Sequence, residues 1–175
     1  MMHFRLPIGG KNMETRELRS SELDDLLVLY AHLHDSDIPL PHRDQVEATW
    51  REIQGNSRLK YFGVYIDGKL VSSCTLSIIP NLTRGCNPYG VVENVVTRKD
   101  FRRRGYGKTV LKYALRYAWS QRCYKVMLLT GRKDEATYRF YESVGFDRYS
   151  KQAFLAKPEY AVQITPVDGL QSLIS

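Results

Sequence analysis

The strongest constraint on the fold is a change of period around residue 100. Residues 91–97 read VVENVVT, a β-branched apolar run suited to a strand. After Gly105-Tyr106-Gly107, the residues Val110, Leu111, Ala114, Leu115, Ala118 and Trp119 recur at helical spacing. Between them stand Arg98, Lys99, Arg102, Arg103 and Arg104, with Lys108 just inside the helix. A helix start leaves backbone N–H groups unpaired and carries a partial positive charge. Small residues at 105 and 107 let a polyphosphate approach those groups, and the cations hold further charge. The junction therefore points to a pyrophosphate-bearing ligand.

Other readings of the same stretch fit less well. A dinucleotide fingerprint needs a third glycine where Val110 stands. A triphosphate loop would match Gly107-Lys108-Thr109, but it needs glycine at Arg102, and no later strand ends in a magnesium-holding Asp. A solvated basic loop would leave glycines in the first turn of a helix without a reason.

The rest of the chain alternates strands and helices. Glu14–Leu18 reads as a short strand after an irregular leader, and Ser21 as the N-cap of a helix carrying Leu23, Leu26, Leu27, Tyr30 and Leu33. Two prolines break that helix, and a second covers residues 45–53. YFGVYI and KLVSSCTLSII flank Asp67-Gly68, a hairpin signal. KVMLLT (125–130), continuously apolar, reads as a central strand. A helix over 134–144 ends at Gly145, and a last strand or two is expected within 146–156. These elements predict an α/β (α+β) fold: a mixed, mostly antiparallel sheet of six to seven strands flanked by about four helices. One domain over 1–175 is expected, with a leader 1–13, a core 14–156 and an extension 157–175.

Composition narrows the classes. The 175 residues are 43% apolar and 26% charged, as in a soluble globular chain. The net charge of +7 favours an anionic partner. No apolar run reaches the roughly 20 residues needed to span a bilayer, and the first residues lack a signal-peptide core. Cys74, Cys86 and Cys123 are too widely spaced for a zinc site or a disulfide framework, which suits a reducing cytoplasm. His32, His34, Asp35, Asp37 and His42 gather near the first helix break, but His at i and i+2 do not share a helix face, so no metal is expected. Acid groups there could meet a cationic amine.

Arg102-Arg103-Arg104-Gly105-Tyr106-Gly107 matches the Arg/Gln-x-x-Gly-x-Gly/Ala signature of the GNAT family of N-acetyltransferases. DEATYRFYESVGF (134–146) resembles that family's second block, Asn-x-x-Ala-x-x-Phe-Tyr-x-x-x-Gly-Phe, with Asp134 in place of the Asn and Thr137 in place of the Ala. The resemblance is specific over 91–146 and extends in layout over 14–156. It implies transfer of an acetyl group from acetyl-CoA to a primary amine of a small molecule or protein, by direct attack. It also implies backbone pairing of Val95, Val96 and Thr97 with the pantetheine arm. Arg102 and the segment Arg103, Arg104, Gly105, Tyr106, Gly107, Lys108 and Thr109 would bind the pyrophosphate. Asp134 would be a further cofactor contact, and Tyr141 the tyrosine beside the thioester sulfur.

The groups themselves bear on the chemistry. Amine attack on a thioester needs a neutral amine, a stabilised carbonyl oxygen and a protonated or solvated thiolate. Tyr141 can donate to the sulfur, or it can be core packing among Tyr138, Phe140 and Phe146. Glu93 interrupts an apolar strand and is the candidate base, often through water in such enzymes; its alternative is a structural partner for an arginine or backbone group. A bulge would aim Asn94 into the cleft instead. Two other classes stay open at this point: a non-catalytic acyl-CoA-binding module on the same fold, and a nucleic-acid binder resting on charge alone. No nucleic acid or membrane partner is expected, and the chain would be a monomer or homodimer.

Overall fold

The computed structural model describes residues 4–8, 11–33 and 38–157. Its frame is a six-stranded sheet in the order β1 (Phe4–Ile8), β2 (Lys11–Glu17), β3 (Leu59–Ile66), β4 (Lys69–Ile79), β5 (Tyr89–Thr97) and β6 (Val126–Leu128). All neighbours are antiparallel except β5 and β6, which run parallel. This is the expected mixed, mostly antiparallel α/β sheet. The helices are α1 (Leu23–Tyr30), α2 (Arg43–Gly55), a short turn α3 (Thr83–Cys86), α4 (Tyr106–Ser120) and α5 (Glu135–Glu142).

Strand alternation sends side chains to two cores. Phe62, Val64 and Ile66 of β3 face α4, where Val110, Leu111, Ala114 and Ala118 complete one cluster with Cys74, Leu76 and Val92. Tyr65 points the other way and joins Leu18, Leu23, Leu26, Leu29, Trp50, Leu70 and Val96 under α1 and α2. Polar anchors fix that second layer: Trp50 Nε1 donates to Ser20 O at 2.7 Å, and Arg16 pairs with Glu22 at 2.6 Å. Burial pushes Glu22 up, but hydrogen bonds from Arg16, the Arg19 N–H and Tyr65 outweigh it and bring its pKa down to about 2.

Several expectations need correction. The leader contains β1, which pairs with β2 from Phe4↔Thr15 to Ile8↔Lys11, so strand structure begins before residue 14. KVMLLT forms only the three residues of β6, half-buried at one edge of the sheet rather than central. Trp119 is 49% exposed; Tyr113 and Tyr117 pack edge-on to Phe62 instead, because the buried stripe of α4 has turned away by residue 119. Among the described residues, 146–157 form no strand. His34, Asp35, Asp37 and residues 158–175 lie outside the described residues.

Strand β5 departs from regularity in two ways. Ser73 pairs with Val96 and Thr75 with Glu93, so Cys74 alone opposes Asn94 and Val95: a bulge in β5, with Asn94 in the left-handed region at φ 52°. In addition, the β5–β6 ladder stops at Val92↔Leu128. From Glu93 to Thr97, β5 has a partner on one side only.

Candidate active site

The parting of β5 and β6 opens a cleft of about 1090 Å³. One wall is Glu93–Thr97, and the other includes Leu129 to Arg132 with Phe140 and Tyr141 of α5. The floor at one end is the start of α4, including Gly105 to Lys108. The sequence pattern that predicted a strand turning into a helix thus predicted one end of this cleft.

That end is built from backbone. Gly105 caps α4 at φ 87°, a conformation that favours glycine, and its neighbour Arg103 sits at φ 60°. Among the described residues, no backbone N–H from Arg103 to Lys108 donates to a protein acceptor; the first helical bond is Thr109 N–H to Gly105 O at 3.0 Å. A row of free donors with the helix's positive end behind it is an anion cradle.

The two glycines have different tasks. Gly105 has open space where a Cβ would stand. A Cβ on Gly107 would lie 3.1 Å from the Phe140 ring and 3.3 Å from Thr97 Oγ1. Gly107 therefore allows α4 to pack against α5 and β5, rather than opening the way to a ligand.

The arginines also divide. Arg102 Nε donates to Thr97 O at 3.1 Å and its Nη2 to His32 O at 2.9 Å, so its guanidinium ties the end of β5 to the end of α1. Arg102, Arg103 and Lys108 all line the cleft, whereas Arg104 lies over the Phe101 ring at 5.5 Å. Arg104 and Thr109 are outside the lining, and the Thr109 hydroxyl bonds back to Gly105 O at 3.2 Å.

Val95, Val96 and Thr97 line the cleft, with Val96 buried beneath α1. The Thr97 hydroxyl meets Ser72 Oγ at 2.8 Å.

Asp134 borders the cleft, but its carboxylate caps α5. One oxygen accepts from Thr137 N–H and the other from the Thr137 hydroxyl, both at 2.8 Å. The two departures from the family's block, Asp134 and Thr137, form one cap.

At the far end, Glu93 and Tyr141 share the cleft. Glu93 is exposed on β5, and partial desolvation in the cleft raises its pKa. Burial also raises that of Tyr141, with Glu93 and Cys74 adding to the effect and Arg132 opposing it. Tyr141 stands edge-on to Phe140 and Phe146, with ring centroids at 5.0 and 6.2 Å, so the packing role is real. Among the described residues its hydroxyl makes no hydrogen bond, which leaves it available to a ligand.

The lining also takes in residues that the sequence did not mark as site residues, among them Arg132 and Phe140, and it includes His32 from the group near the first helix break. His32 carries a lowered pKa, through burial and then the nearby Arg98 and Lys99. Phe140 belongs to the family block, where the aromatic pair was its signal. Arg132 follows a β-strand with no pattern that marks it. His42 is on the surface beside Asp44. Among the described residues, no three His, Cys, Asp or Glu side chains are grouped to hold a metal.

The sequence profile of the acetyltransferase (GNAT) family matches residues 24–146. A glucosamine 6-phosphate N-acetyltransferase of Trypanosoma brucei brucei is 30% identical over 141 residues, 81% of this chain and 93% of that one. One of Arabidopsis thaliana is 31% identical over 49% of this chain and 55% of its own. Among solved structures, a protein of Agrobacterium tumefaciens str. C58, named as an expected acetyltransferase, superposes with a TM-score of 0.77 at 42% identity, over 82% of this chain and 98% of that one. With the profile spanning both the cleft and the layers that frame it, the chain belongs to the acetyltransferase (GNAT) family and is an N-acetyltransferase that moves an acetyl group onto an amine.

Proposed function

We propose that the cleft binds acetyl-CoA and that the acetyl group goes to the primary amine of an amino sugar. One observation carries the reading: β5 parts from β6 at Val92, leaving a strip of half-paired strand that leads to the free N–H groups at the start of α4. The pyrophosphate sits against Arg103–Lys108, helped by the charges of Arg103 and Lys108. The pantetheine arm adds itself along Val95, Val96 and Thr97 as a strand would. Arg102 contributes by holding that strand in place. No metal takes part in this reading.

The thioester then lies between Glu93 and Tyr141. Glu93 takes the ammonium proton directly or through water, and partial desolvation shifts it upward, toward the pH where a base is useful. The amine nitrogen bonds to the carbonyl carbon as the carbon–sulfur bond breaks, with strand N–H groups beside the bulge facing the developing oxyanion. Tyr141 directs its hydroxyl to the sulfur. The products are an N-acetyl amide and CoA.

Two things support an amino sugar: the Trypanosoma and Arabidopsis relatives are both glucosamine 6-phosphate N-acetyltransferases, and a carboxylate at the reacting end suits a cationic hydroxylated amine. We place the protein in the cytoplasm as a single-domain monomer or homodimer, without nucleic acid or membrane partners. Among the described residues no helix is long and apolar enough to cross a membrane.

Two measurements test this. Acetyl-CoA should raise the melting temperature by mass action, and free thiol should appear fastest with glucosamine 6-phosphate or glucosamine in a panel that includes spermidine and a peptide amine. Absence of a melting shift would remove the cofactor assignment. Turnover of only the polyamine or peptide would remove the acceptor class.

A further inference from the structure

We propose that Arg132 is a catalytic residue whose guanidinium stabilises the thiolate that leaves as the acetyl group is transferred. The inference rests on the proposed placement of acetyl-CoA in the cleft. Arg132 belongs to the segment after β6, and with Leu129, Thr130 and Gly131 it lines the same cleft as Tyr141. The segment carries local hydrogen bonds. Its Arg132 N–H donates to Thr130 Oγ1 at 3.2 Å, and two residues later Asp134 caps the helix that carries Tyr141.

The charges acting on the Tyr141 hydroxyl are those of Arg132 on the β6–α5 segment, Glu93 on β5 and the Cys74 thiol on β4. Arg132 is the one cation among them. Its guanidinium makes no hydrogen bond or ion pair among the described residues. Asp134 feels its charge, but the Asp134 oxygens are engaged by Thr137.

The chemistry calls for such a cation. Ordinary tyrosine titrates at about 10 and an ordinary thiol at about 8.5, and burial raises Tyr141 further. Proton transfer from Tyr141 to the thiolate therefore runs uphill, so Tyr141 gives a hydrogen bond and keeps its proton. The electron pair of the broken carbon–sulfur bond stays on sulfur as a full negative charge. A guanidinium never deprotonates in a protein and supplies the countercharge at that point. The amine's proton goes to Glu93 or water, and the thiolate is protonated from solvent after transfer.

The test titrates the thiol of enzyme-bound CoA by its thiolate ultraviolet absorbance. In the wild type this thiol should titrate below that of free CoA. Arg132→Gln should raise it by about one unit, a tenfold change in thiolate fraction at a fixed pH, and Arg132→Lys should restore most of the shift. Affinity for desulfo-CoA should change by less than about twofold, and turnover at saturating substrates should fall by about 10- to 100-fold. Arg132 is exposed, so an unchanged melting temperature without ligand is expected and checks that the fold is kept.

An unmoved thiol pKa overturns the proposal. So does an equal loss of CoA and desulfo-CoA affinity, which would make Arg132 a phosphate ligand. Failure of wild-type protein to bind CoA at all would instead remove the underlying cofactor placement, and this inference with it.

Discussion

The two ends of the cleft are built on different plans. At the proposed phosphate end, one continuous stretch, Thr97 to Lys108, makes a strand end, a left-handed cap and a helix start; what it offers a ligand is backbone. At the proposed reacting end, Glu93, Arg132 and Tyr141 come from β5, the β6–α5 segment and α5, and what they offer is side-chain groups gathered from three elements. A backbone site depends on local conformation and tolerates changes of side chain. A site of gathered side chains depends on packing between elements, and its chemistry changes when one group is replaced. Substitutions should thus separate binding from turnover according to the end they touch.

Tyr141→Phe should have the largest effect on turnover. It removes one hydroxyl from the reacting end, so kcat should fall by about 10- to 1000-fold while the affinity for acetyl-CoA holds. Steady-state kinetics with a true acceptor decide it; a kcat within twofold of wild type, with chemistry rate-limiting, would reduce Tyr141 to packing between Phe140 and Phe146.

Glu93→Gln should come next, with a fall of about tenfold at neutral pH that recovers at high pH, where the amine loses its proton unaided. The same substitution has the opposite effect on stability. The folded pKa of Glu93 is raised above its unfolded value, so the native state holds the proton more tightly. Stability therefore falls as pH rises from the unfolded to the folded pKa, and the ionised carboxylate is a liability above both. A neutral amide should melt at the same or a higher temperature at pH 7. A mutant that melts much lower would show that the carboxylate anchors the strand.

The smallest effect on turnover belongs to the phosphate end. Gly107→Val would crowd Phe140 and Thr97, costing about 1–3 kcal/mol of stability through overpacking. Melting temperature and acetyl-CoA affinity should both drop, yet kcat at saturation should stay within about threefold. A collapse of kcat would mean that the two ends are mechanically joined through Phe140, and the comparison would fail there.

The phosphate end was legible because its causes are local. A β-branched run, glycines at 105 and 107 and an amphipathic helix each act within a few residues, so the pattern marks β5, α4 and the glycine-capped junction between them. The Asp67-Gly68 hairpin and the Gly145 helix end were found the same way, and both glycines do take positive φ, at 82° and 105°.

What sequence by itself determined is therefore the order and kind of most elements and the residue types of the site. Tertiary structure decided the rest, wherever the cause lay far along the chain. Gly107 is needed because Phe140 arrives from α5; Arg102 is spent on His32 and Thr97; Asp134 turns inward to Thr137. An apolar run at 125–130 could not say whether it was covered on both sides, and it proved to be an edge. Arg132 reached the cleft only because β6 parts from β5, and a cation acquires chemistry from neighbours that packing sets.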